Sequence, residues 1–314
     1  MSKPILTLTV NPALDRIITV DRLVFDDRAY IESTTEAAGG RGINAARVLT
    51  TFGSETVAIT TSGGTNGRNF EKHLAEDKFA TEIVKIRNDL RINLTISDRK
   101  GLSIKLNEVG PAISTAEQTR IIQAAGKLLA NASWLMLCGS APPGVDFHFY
   151  TKLIELAGKQ GVQTLLDTDG DALLHGLEAK PTIVKPNQSE AERLLNTTLI
   201  TRSQQIDAVQ RMKALGPQSV VLSLGSRGVI AATSTEGILE VIPPPIDARC
   251  PIGAGDALSA AIVWSLHQGD SFSDALRWGV AAGTASAKLP GITMANLEQT
   301  KEIYPQVQIT RIVL

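Results

Sequence analysis

The stretch Ile252-Gly253-Ala254-Gly255-Asp256 runs straight into the apolar segment 257–263. Two glycines and an alanine leave the amides of a turn uncovered. A helix beginning there adds unsatisfied N–H donors and the positive end of its dipole. That is an anion site, with Asp256 at the helix start, where a carboxylate meets whatever is bound. Alone, the pattern also fits a tight turn with Asp256 as a plain cap.

Other stretches share this double character. Lys185-Pro186-Asn187-Gln188-Ser189-Glu190 follows a strand-like run at 182–184. Asn187 and Glu190 have capping-box spacing. At the carboxyl edge of a parallel sheet the same residues face the place where ligands bind, and Glu190 could hold Mg²⁺ through water. Ser223-Leu224-Gly225-Ser226-Arg227-Gly228 reads as a hairpin turn or a nucleotide-phosphate loop. Gly39-Gly40-Arg41-Gly42-Ile43-Asn44 sets glycines before another helix, and Asn11-Pro12-Ala13-Leu14-Asp15 ends the first strand on a carboxylate. Such a carboxylate suits recognition of vicinal hydroxyls, or is a turn residue. No GxxxxGK[ST] occurs, and no GxGxxG follows the first strand, so neither a Walker A loop nor a dinucleotide fold is indicated.

The elements that must position these groups alternate. Ile5-Leu6-Thr7-Leu8-Thr9-Val10, Trp134–Cys138, 164–166, 182–184 and 220–223 read as strands. Helical spacing fills 115–130, opened by the capping box Ser114–Glu117, and recurs at 150–160, 190–195 and 204–215. Strands apolar on both faces predict a parallel sheet covered on both sides. Two regions differ. Residues 92–96 and 102–106 alternate apolar and polar around the turn Asp98-Arg99-Lys100-Gly101, a half-exposed hairpin. Residues 17–20 and 30–32 look like a second pair. The expectation is a single α/β domain over 1–314, with a small β-sheet lid inserted at about 16–34 and 91–107. An edge extension of the main sheet is the alternative.

Composition narrows the classes. The chain has 314 residues, 31 basic and 32 acidic side chains, a net charge of −1 and 43% apolar content. Mean hydropathy is +0.05. The balance argues against a polybasic nucleic-acid or membrane-surface binder, and the apolar content against a disordered chain. Cys138 and Cys250 form no CxxC pair and histidines number four, so neither zinc nor a disulfide framework is signalled. The start Met1-Ser2-Lys3-Pro4-Ile5 lacks a signal-peptide run, and no stretch approaches about 20 apolar residues. The expected location is the cytoplasm.

In order along the chain, TVNPALD, GGRGIN, KLNE (Lys105–Glu108), GSAPPG, LDTDG, KPNQSE, SLGSRG and GAGD resemble the PfkB branch of the ribokinase-like sugar kinases. The resemblance spans essentially the whole chain. It implies a three-layer α/β/α sandwich with a β lid, and ATP-dependent phosphorylation of a sugar hydroxyl. Asp256 would take the hydroxyl proton, and the amides of Gly253, Ala254 and Gly255 would stabilise the transferring phosphoryl group. Lys185, Asn187 and Glu190 would lie near the ATP phosphates and Mg²⁺, and Ser223, Gly225 and Gly228 would border the nucleotide. The phosphosugar branch (1-phosphofructokinase, tagatose-6-phosphate kinase, minor 6-phosphofructokinase) is similar in NPALD and Leu106-Asn107-Glu108. Arg28, Arg41 and Arg91 align with positions where it carries Lys, Arg or Gly, and guanidinium groups would suit an acceptor that already bears a phosphate. Asp15, Gly39, Gly40, Asn44 and Ser140 would line the sugar site.

The chain departs from that pattern in places. Cys250-Pro251 stands where the family carries polar residues and Thr or Ser. Arg41 replaces either Lys or Gly, and Lys288-Leu289-Pro290-Gly291-Ile292 leaves the adenine contacts unassigned. Two other functions stay open: a kinase of a neutral sugar or nucleoside on the same fold, and a non-catalytic sugar-phosphate-binding regulator. The apolar face of the lid predicts a homodimer formed through it.

Overall fold

Along β1 (Ile5–Thr9) the side chains alternate between two cores, Ile5 packing on one side of the sheet and Leu6 and Leu8 on the other. Its two polar residues, Thr7 and Thr9, are buried as well, so the strand must lie between helices. The computed structural model describes residues 3–24, 26–291 and 293–313. Met1, Ser2 and Ile292, which entered the readings of the N-terminus and of segment 288–292, lie outside them. In chain order the remaining strands are β2 (Ala13–Val20), β3 (Ile31–Gly39), β4 (Thr56–Ser62), β5 (Ala80–Lys85), β6 (Arg91–Asp98), β7 (Ser103–Asn107), β8 (Trp134–Cys138), β9 (Gln163–Asp167), β10 (Ile183–Val184), β11 (Ser219–Ser223), β12 (Val229–Thr233), β13 (Gly237–Ile242) and β14 (Gln308–Ile312).

Ten strands form one sheet in the order β14-β13-β12-β11-β10-β9-β8-β1-β4-β5. From β5 to β11 all pairings are parallel; β11 to β14 pair antiparallel. The expected all-parallel sheet is therefore corrected to a mixed one. The links from β11 to β12 and from β12 to β13 are only a few residues long. A parallel return needs a crossover of a dozen residues or more, so these strands can pair only as hairpins. Helices Thr115–Leu129, Phe149–Lys159, Gly170–Glu178 and Arg202–Ala214 cover one face; Arg41–Thr51, Ala254–Gln268 and Phe272–Ala287 cover the other. The fold is α/β, three layers deep. No described helix is long and apolar enough to cross a membrane.

The second sheet is separate, with four strands in the order β3-β2-β6-β7. It is not an edge extension. Each of the two expected antiparallel pairs forms, and β2 and β6 join them in parallel with Asp15 opposite Asn93. The turn lies at Asp98–Gly101 as read: Gly101 takes φ +87°, and the Asp98 carboxylate accepts from the Lys100 and Leu102 amides. The capping boxes at Ser114–Glu117 and Asn187–Glu190 are both present.

Candidate active site

Several candidate side chains come from one edge of the large sheet. Past the carboxyl ends of β1, β8, β10 and β11 stand Asn11, Ser140, Lys185 and the turn from Ser223, and β9 ends on Asp167. Ligands of such sheets bind at that edge.

Helix Ala254–Gln268 points its N-terminus at it. Its cap is Gly253 at φ +77°, and a Cβ there would lie 2.1 Å from Met294 Cε, so only glycine fits. Asp256 is thus not the cap; it sits in the first turn. The Ala254 amide donates to the Pro251 carbonyl at 3.2 Å, whereas no described residue accepts from the amides of Gly253, Gly255 or Asp256. The three donors left open differ by one residue from those expected, because the turn closed by Pro251 engages Ala254. Gly283 lets the next helix approach: a Cβ there would stand 2.9 Å from the Ala254 carbonyl.

Asp256 faces a crowded set of charges. Asn44 Nδ2 donates to its Oδ2 at 2.8 Å. Asp167, fully buried, accepts from Lys185 Nζ (3.0 Å), Arg41 (3.0 Å) and Ser259 Oγ (2.9 Å). Burial, and next the negative charge of Asp167, push the Asp256 carboxyl up to about 7 against the pull of Asn44, Arg41 and Lys185. Burial also opposes ionisation of Asp167, but Lys185 and Arg41 outweigh it and hold that carboxyl below its ordinary value. One carboxylate stays charged while its neighbour is poised near neutrality.

The cations are not arranged as expected. Arg41 reaches Asp167, Asp169 (3.3 Å) and Glu190 (3.1 Å) and borders a polar cavity of about 420 Å³ with Asn187, Ser223 and Gly225. It stands among carboxylates on that side of the site rather than free to grip a second phosphate. The reason is electrostatic, since three acids converge on one guanidinium. Burial works against its charge, yet those acids and Asp256 raise its proton affinity. Lys185 is 4% exposed, paired with Asp167, and borders neither of the two adjoining cavities. A buried ammonium needs a counterion, and Asp167 supplies it. Arg28 is exposed in the loop between β2 and β3, and its side chain makes no contact with the other candidates among the described residues. Of the three arginines, Arg91 is the one that stands at the site with capacity open: it donates to the Asn11 and Glu108 backbone carbonyls, and its buried Nε has no described partner.

Beside Arg91 lies Asp15. Asn93 Nδ2 donates to Asp15 Oδ1 at 2.9 Å, and a Cβ on Gly39 would fall 2.0 Å from Asp15 Oδ2. Gly40, at φ +136°, turns the chain from β3 into helix Arg41–Thr51. Ser140 Oγ accepts from Asn11 Nδ2 at 3.2 Å. The side-chain amide oxygens (Oδ1) of Asn11 and Asn93 are buried without partners, and Asn93 lies beside the Asp15 carboxylate. Unpartnered buried acceptors are costly unless a ligand completes them, and hydroxyl donors would do so.

Asn187, Ser223 and Gly225 also line a second cavity of about 560 Å³. The Ser223–Gly228 stretch holds a short 3₁₀ turn closing the β11–β12 hairpin, as one of its two readings had it, and Ser223, Gly225, Ser226 and Gly228 line this cavity. Gly228 takes φ +87°, with Val241 O 2.0 Å from where a Cβ would be. Opposite stand Pro243, Leu258, Val280 and Ala287, which make an apolar slot. Val280, Gly283, Thr284 and Ala287 line this cavity, whereas no described residue of 288–292 does.

Glu190 and Asn187 were the expected metal pair. Glu190 is buried; its Oε2 accepts from the Asn187 amide and its Oε1 from Arg41. No described group of three or more carboxylate, imidazole or thiol side chains is arranged to cage an ion. With lone pairs to spare, Glu190 fits an ion held mainly by phosphates and water.

Asp167, Asp169, Asn93, Arg47 and Ser259 carried no assignment from sequence. The LDTDG motif pointed at the first two, since it closes a strand at the binding edge. Nothing local marks Asn93, whose partner is 78 residues away. Cys250 is half-buried and Cys138 buried; both are free thiols.

The profile of the pfkB family carbohydrate kinases matches residues 9–299. The ATP-dependent 6-phosphofructokinase isozyme 2 of Escherichia coli K12 is 30% identical over 303 residues, covering 96% of this chain and 97% of that protein. The tagatose-6-phosphate kinase of Staphylococcus epidermidis is 29% identical over 311 residues, 98% of this chain and all of that protein. Among solved structures, Escherichia coli phosphofructokinase-2 in complex with potassium superposes with a TM-score of 0.91 at 30% identity, covering 97% of this chain and 99% of that one.

Proposed function

The chain belongs to the pfkB family of carbohydrate kinases, and from that premise we propose that it transfers the terminal phosphoryl group of ATP to a hydroxyl of a hexose phosphate such as fructose 1-phosphate, fructose 6-phosphate or tagatose 6-phosphate. The observation that carries the reading is Asp256. Its carboxyl is poised at about 7, at the start of a helix whose first amides are open.

In this reading the hydroxyl proton passes to Asp256 as the hydroxyl oxygen bonds to phosphorus and ADP departs. A base poised near the working pH is the efficient choice. Phosphoryl transfer spreads charge over the equatorial oxygens, so fixed donors matter more than covalent chemistry. The amides of Gly253 and Gly255 supply them, with Ala254 holding the turn through Pro251. Asp15, Asn93 and Asn44 accept or donate to the sugar hydroxyls over the close backbone of Gly39 and Gly40. Arg91, with Ser140 and Asn11, takes the phosphate already on the acceptor. ATP lies across the two cavities, its base in the apolar slot and its phosphates toward Asn187, Ser223 and Gly225. Arg41 holds the acids of that side in place. Glu190 and Asn187 would hold Mg²⁺, which when bound neutralises phosphate charge.

One observation favours a second reading. Of the three arginines, Arg41 is engaged and Arg28 is exposed away from the other candidates, which leaves Arg91 alone to meet an acceptor phosphate, and a neutral sugar needs none. The decisive experiment is ADP release with Mg-ATP across fructose 1-phosphate, fructose 6-phosphate, tagatose 6-phosphate, fructose and ribose, with Asp256→Asn as blank. Turnover with one phosphosugar bears out the first reading, turnover with neutral sugars alone the second. Silence on all five leaves a sugar-phosphate-binding protein.

A cytoplasmic homodimer completes the proposal. Tyr30 and Ile31 (each 64% exposed), Leu106 (54%) and Val109 (75%) leave apolar surface on and beside the small sheet. Sedimentation at micromolar concentration should give the dimer mass; a monomer would remove this part.

A further inference from the structure

Arg47 lies one turn beyond Asn44 on helix Arg41–Thr51, so the two side chains share a face. Its guanidinium makes three directed contacts. Nε and Nη2 form a fork on Asp77, at 2.9 and 2.8 Å, and Nη1 donates to Asn44 Oδ1 at 3.2 Å. A guanidinium has donors only. The Asn44 atom facing it must therefore be the carbonyl oxygen, and the NH₂ is forced toward Asp256, where it donates to Oδ2. Were the amide reversed, its carbonyl would face the Asp256 carboxylate and hold it only in the protonated form. With the amide fixed, Oδ2 is occupied and Oδ1 is left for the incoming hydroxyl. Neither Arg47 nor Asp77 lines either nucleotide-side cavity.

We propose that Asp77 and Arg47 are a positioning pair for the proton acceptor, locking the Asn44 amide so that Asp256 is kept ionised and presents one defined oxygen to the acceptor hydroxyl. This rests on the reading of Asp256 as the proton acceptor. The other groups facing Asp256 are Asp167 at the end of β9, Lys185 beyond β10 and Arg41 at the start of Asn44's own helix, with the Cys138 thiol on β8 within its field. Only the contact with Asn44 depends on Arg47.

The outer side of the pair borders a cavity of about 740 Å³ lined also by Glu36, His73 and Met294. Asp77→Asn therefore leaves Arg47 within reach of water rather than buried and unpaired, and is the variant expected to fold without difficulty. The experiment is the pH profile of kcat/KM for the acceptor sugar in wild type, Asp77→Asn, Arg47→Met, Arg47→Lys and the Asp77→Asn/Arg47→Met double variant. KM for ATP and the melting temperature are measured beside it. In Arg47→Met the acid limb should move up by about one pH unit, a tenfold loss of ionised base at a given acid pH, with KM for ATP within about twofold of wild type. Asp77→Asn should move it the same way by less, and the double variant should be no worse than Arg47→Met. Lysine keeps the charge but not the fork, so Arg47→Lys should not restore the profile. An acid limb that stays in place while kcat falls, a full rescue by lysine, or additive losses in the double variant would each overturn the pair. Asp256→Asn is run in the same series: if it keeps wild-type turnover the underlying reading fails, and if it is inactive while the acid limb of Arg47→Met is unmoved, the pair alone fails.

Discussion

Asp15 and Asp256 are two carboxylates in similar dress. Both are desolvated, each accepts one asparagine amide, and burial raises both above their ordinary value. Their further surroundings differ. Around Asp15 the remaining charges are Arg91 and Arg47, which favour the ionised form; beside Asp256 the Asp167 carboxylate disfavours it and outweighs Arg41 and Lys185 singly. Asp15 is also set in a strand pair, its partner fixed by β2–β6 register, whereas Asp256 projects from a helix start among open amides. In the proposed reaction that difference of neighbours makes one an acceptor of hydrogen bonds and the other an acceptor of protons.

The sharpest way to break that contrast is to neutralise each. Asp256→Asn should lower kcat by about 10²–10⁴-fold with KM for the acceptor nearly kept, as steady-state kinetics will show. Asp15→Asn should instead raise acceptor KM by roughly 10–100-fold, the loss of a hydrogen bond to a charged group, with a smaller change in kcat. Gly39→Ala should resemble it, because the new Cβ displaces the Asp15 carboxylate. Identical kinetic signatures from the two aspartates would end the distinction.

A second test reads stability against pH. Asp256 titrates at about 7 in the folded chain against 3.8 for an ordinary carboxyl. Between those values the folded state keeps a proton that the unfolded state has released, so this group's contribution to stability is full below about 4 and declines as pH rises to 7. Asp256→Asn removes the burden. It should melt with wild type near pH 4 and above it at pH 8, by a difference on the order of 1–3 kcal/mol. A variant less stable than wild type at pH 8 would show that Asp256 is not desolvated in this way.

The smallest effects come from two glutamates in matching capping boxes. Glu117→Gln should cost about 1 kcal/mol of stability and leave turnover unchanged, since Glu117 serves only its helix and the Arg87 amide. Glu190→Gln should cost a similar amount and also weaken activity several-fold, because Glu190 holds Arg41 as well. Thermal melts with parallel assays separate them.

That pair also shows how far the sequence could be read. Both capping boxes were visible as spacing, as were the anion loop before Asp256, the hairpin around Asp98 and the alternation that sets the large sheet. Local pattern carries such features because the interacting atoms are three or four residues apart. It did not say which box faces a cavity. Nor did it give the direction of Arg41, decided by acids from β9 and from helix Gln188–Leu195, or the pairing of Lys185 with Asp167. The hairpin turn after β11 was one reading of Ser223–Gly228, but the antiparallel addition of β14 beside β13 was not legible, because a long stretch of chain separates the two strands. Asn93 matters only through a partner that another segment brings to it, and Arg47 needs Asp77 from beyond its own helix.

The parallel join of β2 to β6 has a consequence for how the chain folds. Asp15 and Asn93 meet across 78 residues, and the intervening stretch contains β4, β5 and the helices around them. Closing a loop of that length gives up chain entropy before any contact repays it. The first strands of the large sheet, once docked, shorten the effective loop and bring the ends together. The join of its two hairpins is therefore expected to form late, with the Asp15 carboxylate exposed to solvent until the slab beneath it has assembled. In pulse-labelled hydrogen exchange the amides of β2 and β6 should gain protection after those of β1 and β4.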